Sequence, residues 1–422
     1  MSEGSEIFLL NSNIVQKIIK EIISKIMEFY IFPEKAEQIS KFFSNKLNNG
    51  DYNQIGDPIM FQQEITTDLQ EISTDYHFYF EFNPRLASEL KQRDYEQQDG
   101  DEDFIDDHEL KLGLYDNYHI VKAERLPGNI GYIKINDFQP AEYAGDVIIG
   151  ALQFLANCYA LIFDVRNNGG GYPSMVQLIT SYLIGPSSKL LNTFYYRNKD
   201  KYSESYTLPY VPGKRSFEKP VYILTSSRTA SAAEEFAYNL KMMKRANIVG
   251  EATRGAANPI ENFPIFGKFV ISLPIGRPIN PISNDNWEGK GVTPHHQSRQ
   301  EDALKEAHLL TLKEVLKSCS DNELKKFLKF ELEYCEALYN GVNIDKSIIK
   351  KYLGEYQGAN LLFIDNQLIF ERKNLKYPLI TKDNHNFYAN ERMKIWFGEE
   401  NQQKSLYLHQ RVFDQIIKLN KS

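Results

Sequence analysis

One segment, residues 159–165, restricts the fold of this chain more than any other feature. It is apolar apart from Asp164 and lacks the alternation of a half-exposed strand, which is typical of a strand buried on both faces of a parallel sheet. Three glycines follow at 169–171, and a helix is predicted over 175–184. Strands and helices alternate in this way from residue 118 to about residue 319, which predicts an α/β core with a mainly parallel sheet.

The first ninety residues have the pattern of a helical N-terminal module, assigned to residues 1–90. Helices are predicted over 13–29, 33–47 and 58–72, because apolar residues recur at helical spacing and Pro or Asn-Asn-Gly sequences mark the helix ends. A strand-like segment, residues 77–82, follows them.

The rest of the chain divides into four further segments by composition and periodicity. An acidic linker is predicted over 91–117, because its middle is rich in carboxylates and lacks Lys and Arg, which is typical of a solvated loop. The α/β core then covers 118–319, and a helical connector covers 320–345. Short strands separated by turns predict a small β-rich C-terminal domain over 346–422.

The charge and cysteine content exclude several classes of function. The formal net charge is −7 at pH 7 and the basic residues are not clustered, so no nucleic-acid partner is predicted. The cysteines Cys158, Cys319 and Cys335 lie far apart and form neither a metal-binding spacing nor a disulfide framework. We therefore expect no metal and no cofactor.

The N-terminal region carries no predicted membrane or export signal. Charged residues interrupt the isoleucine-rich run at 14–32, which a membrane span would hardly tolerate. The acidic, polar first ten residues lack the basic region and small-residue cleavage site of a signal peptide. We therefore expect no membrane span and a cytoplasmic location.

A serine at the start of a predicted helix is the first candidate functional residue. The strand 221–224 ends, small polar residues turn the chain, and Ser231 opens a helix predicted over 231–244. This arrangement can present a hydroxyl at the carboxyl edge of a sheet, beside the N–H groups of the helix N-terminus. A serine at a helix start is also an ordinary N-cap, so both interpretations stay open on these residues alone.

The glycine run after the buried strand is the second candidate. The sequence Asn-Asn-Gly-Gly-Gly at 167–171 lets the backbone approach a ligand closely and exposes successive N–H groups. A phosphate-binding loop would need a following Lys-Ser or Lys-Thr, whereas Tyr172 and Pro173 follow here, and the spacing Gly-x-Gly-x-x-Gly is absent. An oxyanion hole is the better interpretation.

Several motifs occur in one order along about residues 8–315. They are Thr-Asp-Tyr-His at 74–77, Leu-Pro-Gly-Asn-Ile-Gly at 126–131, the glycine run, Thr-Ala-Ser-Ala-Ala-Glu-Glu at 229–235, Gly-Glu-Ala-Thr-Arg-Gly at 250–255 and Asn-Trp-Glu-Gly-Lys-Gly-Val-Thr-Pro at 286–294. Together they resemble the C-terminal-processing (tail-specific) serine peptidase family, in its tricorn-like and interphotoreceptor retinoid-binding-protein-like branch. The resemblance implies a crotonase-like (ClpP-like) α/β core and a serine-type peptidase that hydrolyses peptide bonds.

The resemblance also implies roles for individual residues. Ser231 falls at the position of the family nucleophile. Ala256 stands where the processing enzymes of the Ser–Lys class carry their lysine, so that mechanism is not implied in its usual form. In the tricorn-like class a histidine before the core is the base and a later acidic residue orients it, and His77 and Glu288 match these positions. Asp75 could help to orient His77 or merely cap a turn.

The oxyanion hole implied by the resemblance consists of backbone N–H groups. They belong to Gly170 or Gly171 in the glycine run and to Ala232 after the nucleophile. Such donors, together with a neutral imidazole base and an orienting carboxylate, form a chemically complete set for acyl transfer.

Two features depart from the family pattern or leave alternatives open. Only about forty residues separate Phe82 from Leu126, fewer than the roughly 80–100 residues of an independently folded PDZ domain, so no PDZ domain is predicted. The same fold also occurs in repeats that carry retinoids or fatty acids, and in scaffolds that bind peptides without cleaving them. The predicted partner is a peptide or protein substrate, and homo-oligomerisation stays open.

Overall fold

The computed structural model describes residues 8–96, 107–343, 345–400 and 402–422. The N-terminal region contains the three predicted helices, α1 (Ser12–Phe29), α2 (Pro33–Asn49) and α3 (Pro58–Ser73). The Asp57 side chain accepts hydrogen bonds from two N–H groups at the start of α3, and Gly50, with φ 75°, ends α2. The isoleucine stripe of α1 is buried, as its helical spacing predicts.

Strand β1 (Tyr79–Phe82) and helices α4 (Pro84–Glu96) and α5 (Asp107–Tyr115) follow. The predicted solvated loop over 91–117 is therefore wrong at both of its ends, and residues 97–106 lie outside the described residues. The many charged residues of this segment suggested a loop, but a helix with many charged residues needs only one apolar face to pack against the protein. In α4 that face includes Ala87 and Leu90, which pack against Val270.

The α/β core contains eleven strands and three helices between residues 120 and 297, all of them described by the structure. In chain order they are β2 (Ile120–Leu126), β3 (Ile130–Ile135), α6 (Ala141–Phe154), β4 (Ala160–Asp164), α7 (Pro173–Leu183), β5 (Leu190–Tyr196), β6 (Lys201–Tyr206), β7 (Val221–Thr225), α8 (Ala232–Met242), β8 (Asn247–Gly250), β9 (Ile260–Ile265), β10 (Phe269–Pro274), β11 (Gly276–Ile279) and β12 (His296–Gln297).

A six-stranded sheet forms the centre of the core, in the order β12-β8-β7-β4-β3-β2. All neighbouring strands are parallel except β2, which pairs antiparallel with β3. Strands β4 and β7 are buried along their whole length, as the apolar runs predict. The sheet confirms the predicted α/β class, while the finer crotonase-like assignment stays a prediction.

Helices cover both faces of the six-stranded sheet. One face packs against α6, α7 and α8. The other packs against α9 (Ala303–Ser318), which was not predicted, and α10 (Asn322–Asn340), which lies in the predicted connector. Because both faces are covered, polar loops at the carboxyl ends of the strands are where reactive groups can reach solvent.

A second sheet joins the N-terminal region to the core. Strand β1 pairs antiparallel with β10, with Tyr79 opposite Ser272, and β10 pairs with β9. The apolar faces of these strands share one hydrophobic cluster with α1, α2 and α3. The N-terminal region, predicted as a separate module, therefore shares a continuous hydrophobic core with strands β9 and β10. The pairing of β1 with β10 also brings the residues just before β1 next to the α/β core.

A third sheet, in the order β11-β5-β6, was not predicted. Strand β6 is exposed over most of its length and polar, so it lacks the apolar alternation by which a strand is recognised in a sequence.

The C-terminal region is rich in strands, as predicted. After α11 (Lys346–Lys350) it forms two antiparallel sheets of four and five strands. The strands are β13 (Gly354–Tyr356), β14 (Ala359–Ile364), β15 (Gln367–Arg372), β16 (Leu375–Pro378), β17 (Ile380–Thr381), β18 (Asn386–Asn390), β19 (Met393–Glu400), β20 (Gln403–Gln410) and β21 (Gln415–Asn420). Glu331 of α10 joins this region to the core, because its carboxylate accepts from the Gly128 N–H and pairs with Arg411.

Among the described residues, no helix is long and apolar enough to cross a membrane. Between β1 and β2 the described residues form α4 and α5, and the prediction that no PDZ domain lies there stays a prediction.

Candidate active site

Ser231 lies where β7 turns into α8, half-buried beside the carboxyl edge of the six-stranded sheet. Its backbone has φ 52° and ψ −123°, a conformation that side chains with a Cβ rarely adopt. Residues in such regions cost on the order of 1–3 kcal/mol and persist where the surrounding structure holds them. Ser231 is therefore not an ordinary helix cap.

The carboxylate of Glu234 holds this strained turn in place. Glu234 is fully buried, and its Oε2 accepts from the N–H of Ser231 at 2.9 Å and of Ala256 at 2.8 Å. Its Oε1 accepts from the Thr253 hydroxyl and from the Gly255 N–H. Burial raises the pKa of Glu234, and these hydrogen bonds oppose the rise.

The predicted glycine run packs directly against Ser231. A Cβ on Gly170 would lie 2.7 Å from the Ser231 Cβ, and the φ of 126° at Gly170 itself favours glycine. The Gly170 N–H donates to Asn168 Oδ1 at 2.8 Å, so this amide is already engaged within the loop. Of the predicted oxyanion donors, the N–H groups of Gly171 and Ala232 have no acceptor among the described residues.

His77 lies in the turn before β1, so the predicted strand 77–82 begins two residues too early. Its backbone N–H donates to Asp75 Oδ1 at 3.1 Å, and its Nδ1 is 3.7 Å from the same oxygen. Burial lowers the pKa of His77, the charge of Asp75 opposes this, and the charge of Arg254 adds to it. The imidazole is therefore held neutral, which is the form that accepts a proton.

Glu288 approaches the imidazole from the loop after β11. Its Oε2 accepts from the N–H groups of Ala257 at 2.7 Å and Asn258 at 3.2 Å. Burial and then the negative charge of Asp75 raise the pKa of Glu288 to about 8, against the effect of these hydrogen bonds. The nearby charge of Glu234 raises it further.

Asp75, His77 and Glu288 form one group, named here the histidine–carboxylate cluster. One ligand-type atom from each residue lies within 4.8 Å of the other two. Asn258 fastens the group together, because its side chain donates to Asp75 Oδ2 at 3.0 Å while its backbone N–H donates to Glu288. The structure thus brings together the predicted base and the predicted orienting acid.

The loop 253–258 links this cluster to the turn that carries Ser231. Successive N–H groups of the loop donate first to Glu234, which holds Ser231, and then to Glu288. The Arg254 N–H donates to the Thr229 carbonyl at 3.0 Å, and the Arg254 guanidinium lies 5.6 Å from the centre of the Tyr76 ring, next to His77. The turn that carries the nucleophile candidate and the cluster are therefore both hydrogen-bonded to the same short loop.

Several buried polar atoms in the cluster and at Tyr30 have no hydrogen-bond partner among the described residues. They are both ring nitrogens of His77, Oε1 of Glu288 and the hydroxyl of Tyr30. Tyr30 is fully buried, and burial together with the charges of Asp75 and Glu288 raises the pKa of its hydroxyl. Such unsatisfied groups cost about 1–3 kcal/mol each, and in native proteins they mark sites with a task beyond stability.

Three residues that build this site were not predicted from the sequence. Glu234 could have been found, because a serine followed three residues later by glutamate is the pattern of a capping box. Asn258 and Tyr30 have no local signal, since each reaches the cluster only through the tertiary fold.

Two family models match the chain. The model of peptidase family S41 matches residues 129–298. A model described as the N-terminal domain of Peptidase_S41 in eukaryotic IRBP matches residues 1–107. The matched ranges contain Ser231, Glu288 and His77.

Curated relatives share part of this sequence. The carboxy-terminal processing protease CtpB of Bacillus subtilis is 29% identical over 220 residues, which are 51% of this chain and 42% of that protein. The carboxyl-terminal-processing protease of a Synechocystis species is 32% identical over 133 residues, or 31% of this chain and 29% of that protein. The matches therefore span less than half the length of these relatives.

Among solved structures, a lipoprotein from Streptococcus agalactiae aligns with 74% of this chain and 99% of its own. The identity is 16% and the TM-score 0.47, and a likeness at this level carries no argument about function.

Proposed function

The chain belongs to peptidase family S41, and on that premise we propose that it is a serine peptidase with Ser231 as nucleophile, His77 as base and Glu288 as the orienting carboxylate. Its reaction is the hydrolysis of peptide bonds in a peptide or protein substrate. Both curated relatives described above are named as processing proteases, which supports this class of substrate.

The observation that carries the proposal is the strained backbone of Ser231. A helix cap needs no positive φ, so the cost of φ 52° requires another reason. A sharp strand-to-helix turn of this kind exposes the Oγ of a nucleophilic serine at the edge of a sheet. The four hydrogen bonds to Glu234 hold that turn before any substrate arrives.

The proposed chemistry uses these residues in the following order. The Ser231 Oγ attacks the carbonyl carbon, its proton passes to His77, and the carbonyl electron pair moves to the oxygen. His77 then gives the proton to the leaving amine nitrogen as the C–N bond breaks. Water then hydrolyses the acyl-serine. His77 accepts a proton from the water as its oxygen attacks the acyl carbon, and gives that proton to the Ser231 Oγ as the ester bond breaks. The lowered pKa of His77 supports this assignment, because only a neutral imidazole can begin the cycle.

Glu288 and Asp75 provide the negative charge that the imidazolium needs. When His77 takes the serine proton, its positive charge lowers the pKa of a carboxyl group within a few ångströms. The proton that the raised pKa of about 8 keeps on Glu288 at neutral pH then passes to solvent water, since Glu288 is only half-buried, and the carboxylate stays beside the imidazolium. The Glu288 Oε1 has no other partner among the described residues, which leaves it available to the imidazole.

We assign the oxyanion hole to the backbone N–H groups of Gly171 and Ala232. Both lack an acceptor in the described part of the chain, and Ala232 lies at the positive end of α8. One such donor is typically worth about 3–4 kcal/mol of barrier.

A crotonase-like (ClpP-like) arrangement of the core belongs to the same proposal. It is supported by the run of parallel strands β12-β8-β7-β4-β3 with helices on both faces. Ser231 and the glycine run follow the carboxyl ends of β7 and β4, where ligands bind in open parallel sheets.

The experiment that tests the proposed function is labelling of the purified chain with a fluorophosphonate probe at neutral pH. We expect labelling of the wild type, and loss of labelling by at least about 1000-fold in both Ser231→Ala and His77→Ala. Two variants are matched controls. Ser227→Ala removes an exposed serine in the same turn, and His119→Ala removes a histidine that pairs with an acidic residue elsewhere in the chain.

Labelling that survives in Ser231→Ala would contradict the assignment of the nucleophile. A folded wild type that is not labelled at all would contradict the peptidase proposal, and would favour the carrier of retinoids or fatty acids that the sequence left open.

A further inference from the structure

The histidine–carboxylate cluster contains the ligand atoms of a metal site. One nitrogen of His77 and one oxygen from each of Asp75 and Glu288 lie within 4.8 Å of one another. Ligand atoms about 2.1 Å from a tetrahedral ion lie roughly 3.4 Å apart, and His77 Nδ1 is 3.7 Å from Asp75 Oδ1. In the described ranges of the chain, no other group of three or more such side chains has this spacing.

Both carboxylates of the cluster are held in place by hydrogen bonds from neighbouring residues. Asp75 Oδ2 accepts from the Asn258 side chain, and Glu288 Oε2 accepts from the N–H groups of Ala257 and Asn258. Asp75 Oδ1 accepts from the His77 backbone N–H and lies 3.7 Å from His77 Nδ1, and Glu288 Oε1 has no partner among the described residues. Metal-ligating carboxylates are commonly held in this way by a second layer of hydrogen bonds.

Tyr30 gives an independent sign that a ligand belongs here. Its side chain is fully buried, its hydroxyl has no partner in the described part of the chain, and it lies within reach of the charges on Asp75 and Glu288. Neither ring nitrogen of His77 is hydrogen-bonded to another described residue either. The imidazole, the free oxygen of Glu288 and the Tyr30 hydroxyl thus lack hydrogen bonds among the described residues, in the field of two carboxylates, and a cation would relieve this.

We propose that the histidine–carboxylate cluster binds one Zn²⁺ ion, and that the bound ion switches the peptidase off. One imidazole nitrogen with two carboxylate oxygens suits Zn²⁺, whereas Mg²⁺ and Ca²⁺ prefer oxygen ligands alone. A His77 nitrogen that coordinates zinc uses its lone pair and cannot accept the Ser231 proton. Zinc binding itself does not depend on the proposed function, but the switch rests on it.

The sequence analysis predicted no metal site, because the ligands have no motif spacing. Asp75 and His77 are close in sequence, but Glu288 follows His77 by more than two hundred residues. The pairing of β1 with β10 brings the N-terminal ligands to the core.

The first experiment measures zinc binding without any need for catalysis. Chelator-treated Ser231→Ala chain is titrated with Zn²⁺ by calorimetry at neutral pH. We expect one ion per chain, release of protons on binding, and affinity at least about tenfold weaker when His77→Ala or Asp75→Asn is added. His409→Ala is the matched control, because His409 and Asp414 form a pair at 3.1 Å without a third ligand in the described residues.

A thermal melt of each variant guards against misfolding as the cause of lost binding. Zn²⁺ should raise the melting temperature of Ser231→Ala and of its His409→Ala derivative, but not that of the His77→Ala derivative. No saturable Zn²⁺ binding, or binding unchanged by His77→Ala and Asp75→Asn, would overturn the zinc site.

The second experiment measures the switch in the wild-type chain. The fluorophosphonate labelling rate should fall at least about tenfold as Zn²⁺ saturates the site, return on addition of chelator, and stay unchanged with Mg²⁺. A rate that Zn²⁺ leaves unchanged or increases would overturn the switch. A wild type that is never labelled would contradict the proposed function instead, while the calorimetry would still decide the zinc site.

Discussion

Glu234 and Glu288 accept hydrogen bonds from neighbouring N–H groups of one loop, yet the two carboxylates differ in nearly every other respect. Both oxygens of Glu234 are fully used, in four hydrogen bonds. Glu288 uses only Oε2, and its Oε1 is buried without a partner among the described residues. Burial raises the pKa of both, but at Glu288 the charge of Asp75 adds to the rise and brings the pKa to about 8.

The difference separates a carboxylate that builds the site from one that acts in it. A buried charge that is fully hydrogen-bonded fixes the backbone around it, and here it fixes the turn of Ser231. A half-buried carboxyl group with one free oxygen, as at Glu288, favours its protonated form, and its charged form is stabilised when a positive group forms beside it. The same substitution, Glu to Gln, should therefore damage stability at one position and activity at the other.

The largest effect is expected from Glu288→Gln. The variant keeps the shape of the side chain but cannot carry the negative charge that stabilises the imidazolium of His77. We expect the rate of fluorophosphonate labelling to fall by roughly 10³–10⁴-fold, as for loss of the acid from a catalytic triad, with an unchanged circular dichroism spectrum. A rate within threefold of wild type would remove Glu288 from the mechanism.

The second effect is a loss of stability in Glu234→Gln. The amide nitrogen must face two of the four hydrogen-bond donors, which leaves buried N–H or O–H groups unsatisfied. We expect the free energy of unfolding, from urea denaturation, to fall by about 3 kcal/mol. Glu204→Gln, on the exposed strand β6, is the matched control and should change it by less than about 0.5 kcal/mol. An equally stable Glu234→Gln variant would mean that this carboxylate does not hold the turn.

The third prediction concerns the pH dependence of stability. Glu288 has a pKa of about 8 in the folded chain against an ordinary value of 4.5, so between these pH values the folded state holds a proton that the unfolded chain has lost. The contribution of Glu288 to stability therefore falls as pH rises through this window.

The variant Glu288→Gln has no carboxyl group at this position, so its stability does not contain this pH-dependent contribution. Its stability relative to wild type should rise from about pH 5 to about pH 6.5 by on the order of 2 kcal/mol, since one pKa unit corresponds to about 1.4 kcal/mol. Urea denaturation of both chains across this range measures the difference, and the lowered pKa of His77 acts on both. A difference that is flat with pH would show that Glu288 titrates normally.

The smallest effect is expected at a third buried carboxylate, Glu331. Its Oε2 accepts from the Gly128 N–H at 3.1 Å, and its Oε1 lies 3.3 Å from the Arg411 guanidinium, so it is intermediate between the other two. Burial raises its pKa to about 7, and Arg411 opposes the rise. We expect Arg411→Gln to lower the free energy of unfolding by about 1–2 kcal/mol in urea denaturation. A neutral result would mean that the protonated form of Glu331 tolerates the loss of its partner.

The parts of this molecule that were predictable are those whose signals are local. The apolar run over β4 predicted the centre of the parallel sheet, and the isoleucine spacing predicted α1. Helices α4 and α5 were misjudged because their charge hid their periodicity. Strands β5 and β6 were missed because β6 is mostly exposed and polar.

In the candidate active site, too, the features with a local sequence signal were predictable and the features that depend on distant residues were not. The turn at Ser231 follows from a strand, small residues and the serine–glutamate spacing, all within a short stretch of sequence. The surroundings of His77 depend on the pairing of Tyr79 with Ser272 across the chain, which no local pattern records. Asn258 and Tyr30, which complete the cluster, became visible only once that pairing was known.

The central claim is that Ser231 is a nucleophile activated by the histidine–carboxylate cluster. Its most direct test is peptide mapping by mass spectrometry after reaction with fluorophosphonate, in the wild type and in His77→Ala. We predict a single adduct on the Ser231 hydroxyl in the wild type and none in the variant. An adduct on another residue, or an equal adduct on Ser231 without His77, would contradict the account.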